Sequence, residues 1–68
     1  MKTVDTRGLS CPEPVLLVRK AIMEGEYPFV VLVDDATPYE NIRRYATNNG
    51  HKFEVVEEDG EYKFTFTE

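Results

Sequence analysis

The chain has one cysteine and one histidine in 68 residues. A single thiol closes no internal disulfide, and a structural zinc site needs about four ligands of a kind this chain supplies twice. No metal and no other cofactor is expected. Long apolar runs are missing as well: the longest, "FVVLV", is strand-sized, far short of the roughly 20 residues that span a bilayer. The opening "MKTVDTRG" has no apolar stretch of the signal-peptide kind. A cytoplasmic protein with no membrane partner is the expectation. Basic residues are few, 8 against 13 acidic, and the net charge of -5 opposes non-specific binding to nucleic acid or anionic membrane surfaces. Partners should be proteins or small molecules. Repeats, low-complexity tracts and linkers are absent too, so residues 1–68 are expected to form one small domain with a thin core.

The remaining composition, 41% hydrophobic and 31% charged, is that of a folded soluble chain rather than a disordered one. A short first strand is expected from about Lys2 to Thr6, with Val4 inward. The spacing then predicts a helix from Pro12 to about Glu24, stopped by Gly25. At 100° per residue, Pro14, Val15, Leu17, Val18, Ala21 and Ile22 share one arc. Leu16 and Met23 fall instead among Arg19 and Lys20 on the face that should be wet, which makes these four a candidate docking patch.

"PFVVLVDD" is an unbroken β-branched run, suited to a central strand covered on both sides. In "TPYENIRRYATNNG", Thr37 is an N-cap candidate, Pro38 fits the first helical position and Glu40 completes a capping box. Tyr39, Ile42, Tyr45 and Ala46 form the apolar stripe, and Gly50 the stop. "HKFEVVEE" and "YKFTFT" flank Asp59-Gly60, a hairpin turn signal. The order is βαβαββ, and right-handed crossovers put both helices on one face of a mixed four-stranded sheet. The fold class expected is a two-layer α/β sandwich.

Cys11 sits in "LSCPEP", at or beside the N-cap of the first helix. Pro12 and Pro14 are tolerated in a first turn, whose N–H groups have no internal acceptor, and they stiffen it. The positive end of the helix dipole favours an anion, and a thiolate or a persulfide is one. Arg7 would add positive charge if the "RGLS" loop folded back, with Gly8 easing the turn, whereas Glu13 acts oppositely as a like charge. A lone cysteine in a small domain is more often core packing than a nucleophile, and at this point both readings stand.

"VDTRGLSCPEPVLLVRKAI" resembles the signature of the TusA/SirA-like family of small sulfur-transfer proteins, an Asp-x-Arg-Gly-Leu-x-Cys-Pro-x-Pro segment entering a helix. The match runs through Asp5, Arg7, Gly8, Leu9, Cys11, Pro12 and Pro14. The later stretch "VLVDDATPYENIRRYATNNGHKFEV" looks most like the YedF branch, whose members often carry a second domain that these 68 residues lack. The resemblance implies a βαβαββ sandwich in which Cys11 accepts sulfane sulfur as a persulfide from a donor of the cysteine desulfurase type and hands it to an acceptor protein. Family members feed tRNA thiolation, molybdenum cofactor synthesis or sulfur oxidation, and YedF-like members have been linked to selenium. By the same resemblance Pro12 and Pro14 rigidify the helix start, while Asp5 and Arg7 shape the loop before it.

A chain with one thiol suits a relay by intermolecular attack, not an internal disulfide reductase. The alternative is a non-catalytic interaction module that binds through Leu16 and Met23. Other candidates read as structure: His51 as a strand-edge residue, Asp34 and Asp35 as a strand end and loop, Arg43 and Arg44 as a solvated face. "EVVEEDGE" reads as a solubilising cluster, and the tyrosines, with no interleaved basic residues, as core and rim.

Overall fold

A computed structural model describes residues 2–9, 13–25 and 27–67. Its elements run β1 (Lys2–Asp5), α1 (Glu13–Glu24), β2 (Phe29–Val33), α2 (Ala36–Asn48), β3 (Lys52–Glu58) and β4 (Glu61–Thr67), the expected βαβαββ order. The sheet order is β1-β2-β4-β3, with β1 parallel to β2 and both remaining pairings antiparallel. β3 therefore forms one edge, and the hairpin delivers β4 into the middle. Asp59 and Gly60 close that hairpin with φ of 52° and 79°, the left-handed pair that a two-residue turn of right-twisted strands requires.

Phe29, Val31 and Val33 of β2, Phe64 and Phe66 of β4, Val18 and Ala21 of α1, and Ile42 and Ala46 of α2 make the core. Phe29 stacks on Phe66, its cross-strand neighbour, with ring centroids 4.9 Å apart. Tyr39 closes the far side of the helix layer by stacking on Tyr62 at 4.1 Å. Phe29, Val31 and Val33, alternate residues of β2, are the ones that enter the core shared with both helices. β2 is a central strand between β1 and β4, as expected, and four of its five residues are buried. On the open face Val30 is buried between its ladder neighbours Thr3 and Thr65, and Leu32 is half-buried. β-branched side chains in adjacent strands shelter one another without a second layer.

The start of α2 also differs from expectation. Asp35, not Thr37, is the N-cap, in extended conformation, and its carboxylate accepts from the Thr37 N–H at 3.2 Å. The first helical bond is then Tyr39 N–H to the Asp35 carbonyl, 3.2 Å. Pro38 becomes the third helical residue, the last position whose missing N–H costs nothing. Glu40, released from a capping box, receives Arg43 Nη2 at 3.2 Å instead. α2 ends as expected: the N–H groups of Gly50 and His51 return to the carbonyls of Thr47 and Ala46, a Schellman arrangement.

α1 is described from Glu13, and its expected start at Pro12 lies outside the described residues. Pro14, Val18 and Ala21 are buried and Val15 and Ile22 pack against the core. The helix ends where Gly25 N–H meets the Ala21 and Ile22 carbonyls. Lys2 pairs with Glu24 and so ties the start of β1 to the end of α1.

Candidate functional site

The described chain approaching Cys11 is a turn, Thr6 to Leu9, which follows directly from β1. Leu9 N–H donates to the Thr6 carbonyl at 3.1 Å, with Gly8 in the third position at φ 81°. A positive φ there is the requirement of a type II turn, and it explains a glycine at this point. Thr6 is 1% exposed, and both its N–H and its Oγ1 donate to the Leu32 carbonyl, at 3.0 and 2.6 Å. That double bond to β2 extends the parallel ladder one residue past Asp5.

Two further contacts hold the turn from outside. Gly8 N–H donates to the Asp34 carboxylate, 3.2 and 3.3 Å from its two oxygens. Arg7 turns back on Asp5 through two parallel bonds, Nε to Oδ1 at 3.0 Å and Nη2 to Oδ2 at 2.9 Å, while the Arg7 N–H also donates to Oδ1 at 3.0 Å. On its other side the guanidinium is 3.6 Å from Glu61 of the hairpin. The Arg7 hydrogen bonds hold the Asp5 carboxyl down at about 2, and the carboxylate in turn raises the guanidinium pKa. Arg7 thus spends its charge on two carboxylates, and it braces the turn between β1 and the β3–β4 hairpin.

Of the residues expected to form the site, Asp5, Arg7 and Gly8 belong to this one turn, with Leu9 half-buried at its end. Glu13 opens α1 in solvent, and Pro14 is buried behind it. Cys11 and Pro12 lie outside the described residues. Leu16 and Met23 are 52% and 75% exposed, and Arg19 and Lys20 are exposed with them. Positions 16, 20 and 23 follow the i, i+4, i+7 spacing, so the patch is one continuous stripe along α1, with Arg19 at its side.

Sequence reasoning missed Thr6 and Glu61, and it read Asp34 only as a strand end. A threonine closing a short strand carries no local signal of burial. The Asp34 contact follows from the parallel pairing of Asp5 with Leu32, which brings the residues after each strand together. Among the described residues no three metal-ligating side chains cluster, and no helix is long and apolar enough to cross a membrane.

Comparison with known proteins gives a consistent result. The family model described as sulfurtransferase TusA matches residues 2–68. A Methanocaldococcus jannaschii protein, provisionally named a sulfur carrier protein, is 43% identical over 60 residues, 85% of this chain and 80% of its own length. The crystal structure of a SirA-like protein from Desulfitobacterium hafniense superposes with a TM-score of 0.85 at 32% identity, covering 98% of this chain and 96% of that one.

Proposed function

We propose, because the chain belongs to the sulfurtransferase TusA family, that it is a cytoplasmic sulfur carrier whose Cys11 holds sulfane sulfur as a persulfide. The observation that carries this reading is a family match along residues 2–68 in a chain whose sole thiol stands in the Cys-Pro-x-Pro segment. The donor is a persulfide-bearing protein of the cysteine desulfurase type, and the acceptor is a cysteine of a second protein.

Loading is an exchange at sulfur. The Cys11 thiolate attacks the outer sulfur of the donor persulfide, the donor S–S bond breaks, and the donor cysteine leaves as a thiolate while Cys11 carries S–SH. Unloading repeats the step: the acceptor thiolate takes the outer sulfur and Cys11 leaves as a thiolate. One S–S bond replaces another each time, with no net oxidation.

The α1 dipole favours both anionic forms of Cys11, Pro12 and Pro14 stiffen the helix entrance, and the turn of Asp5, Arg7, Gly8 and Leu9 fixes the approach to it. The stripe of Leu16, Arg19, Lys20 and Met23 docks the protein partners, apolar residues giving contact and basic ones favouring acidic surfaces. Selenium handling of the YedF kind would use the same nucleophile with another cargo, and selenide competing against sulfide donors distinguishes the two.

The test is intact mass after incubation with a cysteine desulfurase and cysteine, with Cys11→Ser as control. The expected result is a gain of one sulfur atom, removed by reductant and absent from the variant. A folded protein whose thiol alkylates readily yet gains no sulfur from any desulfurase would refute the carrier.

A further inference from the structure

β3 is a seven-residue strand at the end of the sheet, with one edge unpaired among the described residues, and its Val55 and Val56 are 36% and 57% exposed. Its other edge is bonded to β4 in the register Lys52 to Thr67 through Glu58 to Glu61. In a two-residue hairpin the closing pair, here Glu58 and Glu61, exchanges both backbone hydrogen bonds. Alternation then directs the N–H and C=O of Lys52, Glu54, Val56 and Glu58 towards β4, and those of Phe53, Val55 and Glu57 outwards. Such a row is a template for another strand.

The order of charges along this strand, Lys-Phe-Glu-Val-Val-Glu-Glu, is self-complementary when read against itself in reverse. Centred on Val55, an antiparallel pairing with a second copy uses all seven residues. Lys52 then lies opposite Glu58 of the second copy, twice by symmetry. Val55 meets its own equivalent, Phe53 lies opposite Glu57, and Glu54 lies opposite Val56. No like charges face each other. The two nearest registers that keep both helix layers on one face fail this test: one sets Glu54 opposite Glu58 twice, and the other sets Glu54 opposite itself. Like charges directly opposite destabilise a strand pair, whereas opposite charges support it.

We propose that the β3 edge is the interface of a two-fold symmetric homodimer, in the register that pairs Lys52 with Glu58 and Val55 with Val55. The dimer is one continuous eight-stranded sheet. Strand order puts β1 at its two outer ends, and α1, which packs over β1 and β2, lies away from the axis. Both α1 stripes stay open to partners, so the inference does not depend on the carrier reading.

The experiment is sedimentation of the full chain over a concentration series, under reductant to exclude a disulfide through Cys11. Ionic strength is held near physiological, where repulsion between two chains of charge -5 is screened beyond about 8 Å. The expected result is a concentration-dependent dimer. Lys52→Glu and Glu58→Lys each weaken it by about tenfold or more, since each sets like charges opposite twice, and the double exchange restores it. Hydrogen exchange gives an independent reading: the amides of Phe53, Val55 and Glu57 gain protection as concentration rises, and β1 amides do not. A chain that stays monomeric across the series overturns the proposal. So does a dimer indifferent to both charge reversals, or one that protects a different edge, because the contact would then lie elsewhere.

Discussion

Thr6→Val is the sharpest test of the turn that leads to Cys11. The substitution keeps the shape of a side chain that is 1% exposed and deletes one hydroxyl, whose bond to the Leu32 carbonyl is 2.6 Å long. That carbonyl also accepts from the Thr6 N–H at 3.0 Å, so the variant leaves no orphaned acceptor. The cost should be that of a net hydrogen bond, about 1 kcal/mol, rather than the roughly 1–3 kcal/mol of a stranded buried group. For a chain of this length, about 1 kcal/mol lowers the melting temperature by roughly 4–8 °C. Calorimetry reads the shift directly, and amide exchange at Gly8 and Leu9 should quicken as the turn loosens. A drop beyond about 15 °C would show that the hydroxyl holds far more than one bond. No drop with unchanged exchange at Gly8 would refute the assignment of Thr6 as the fastening of the turn.

Gly8→Ala meets no atom within 4 Å of its new Cβ, so its cost is the left-handed backbone alone, about 1–2 kcal/mol, visible as a lowered urea midpoint. Phe64→Ala, at the centre of the aromatic core, should cost about 3–5 kcal/mol, comparable with the whole stability of so small a domain; near-ultraviolet circular dichroism should show a largely unfolded population at 25 °C, and a fully native spectrum would contradict the packing described. The Asp5 carboxyl is depressed from 3.8 to about 2, so the stability it contributes is complete above its unfolded value and is lost as pH falls from about 4 towards 2. Wild type and Asp5→Asn should therefore converge in melting temperature across that window, and the difference should shrink in high salt because the pair is exposed. Leu16→Glu, on a side chain half in solvent, should leave the melting temperature unchanged while slowing sulfur uptake from a desulfurase by about tenfold or more, and unchanged uptake would remove α1 from the docking surface.

Local signals carried much of the fold. Asp59-Gly60 demands a two-residue hairpin, the alternation of Tyr62, Phe64 and Phe66 faces them to the helices, and Gly25 and Gly50 end helices whose apolar arcs are visible in sequence. The exposure of Leu16 and Met23 follows from the same helical periodicity. Capping was less legible because "DDATP" offers two competing starts, and Asp35 wins by a two-residue reach that leaves Pro38 in the first turn. Of the site, the motif around Cys11 was plain, but the contacts of Thr6, Asp34 and Glu61 with the turn before it were not. Arg7 was read as shaping the loop before Cys11, and its guanidinium does so through Asp5 and Glu61.

The sequence by itself determined the element order, the hairpin and the inward faces, because each depends on contacts within a few residues along the chain, and it singled out Cys11 through its resemblance to a family motif. The tertiary structure alone decided that β4 inserts between β2 and β3, and that Thr6, Asp34 and Glu61 brace the turn before Cys11. Those facts depend on strand register and on tertiary contacts that join residues up to 54 positions apart, as Arg7 and Glu61 are. No local preference encodes such a pairing; only burial of the shared apolar face selects it.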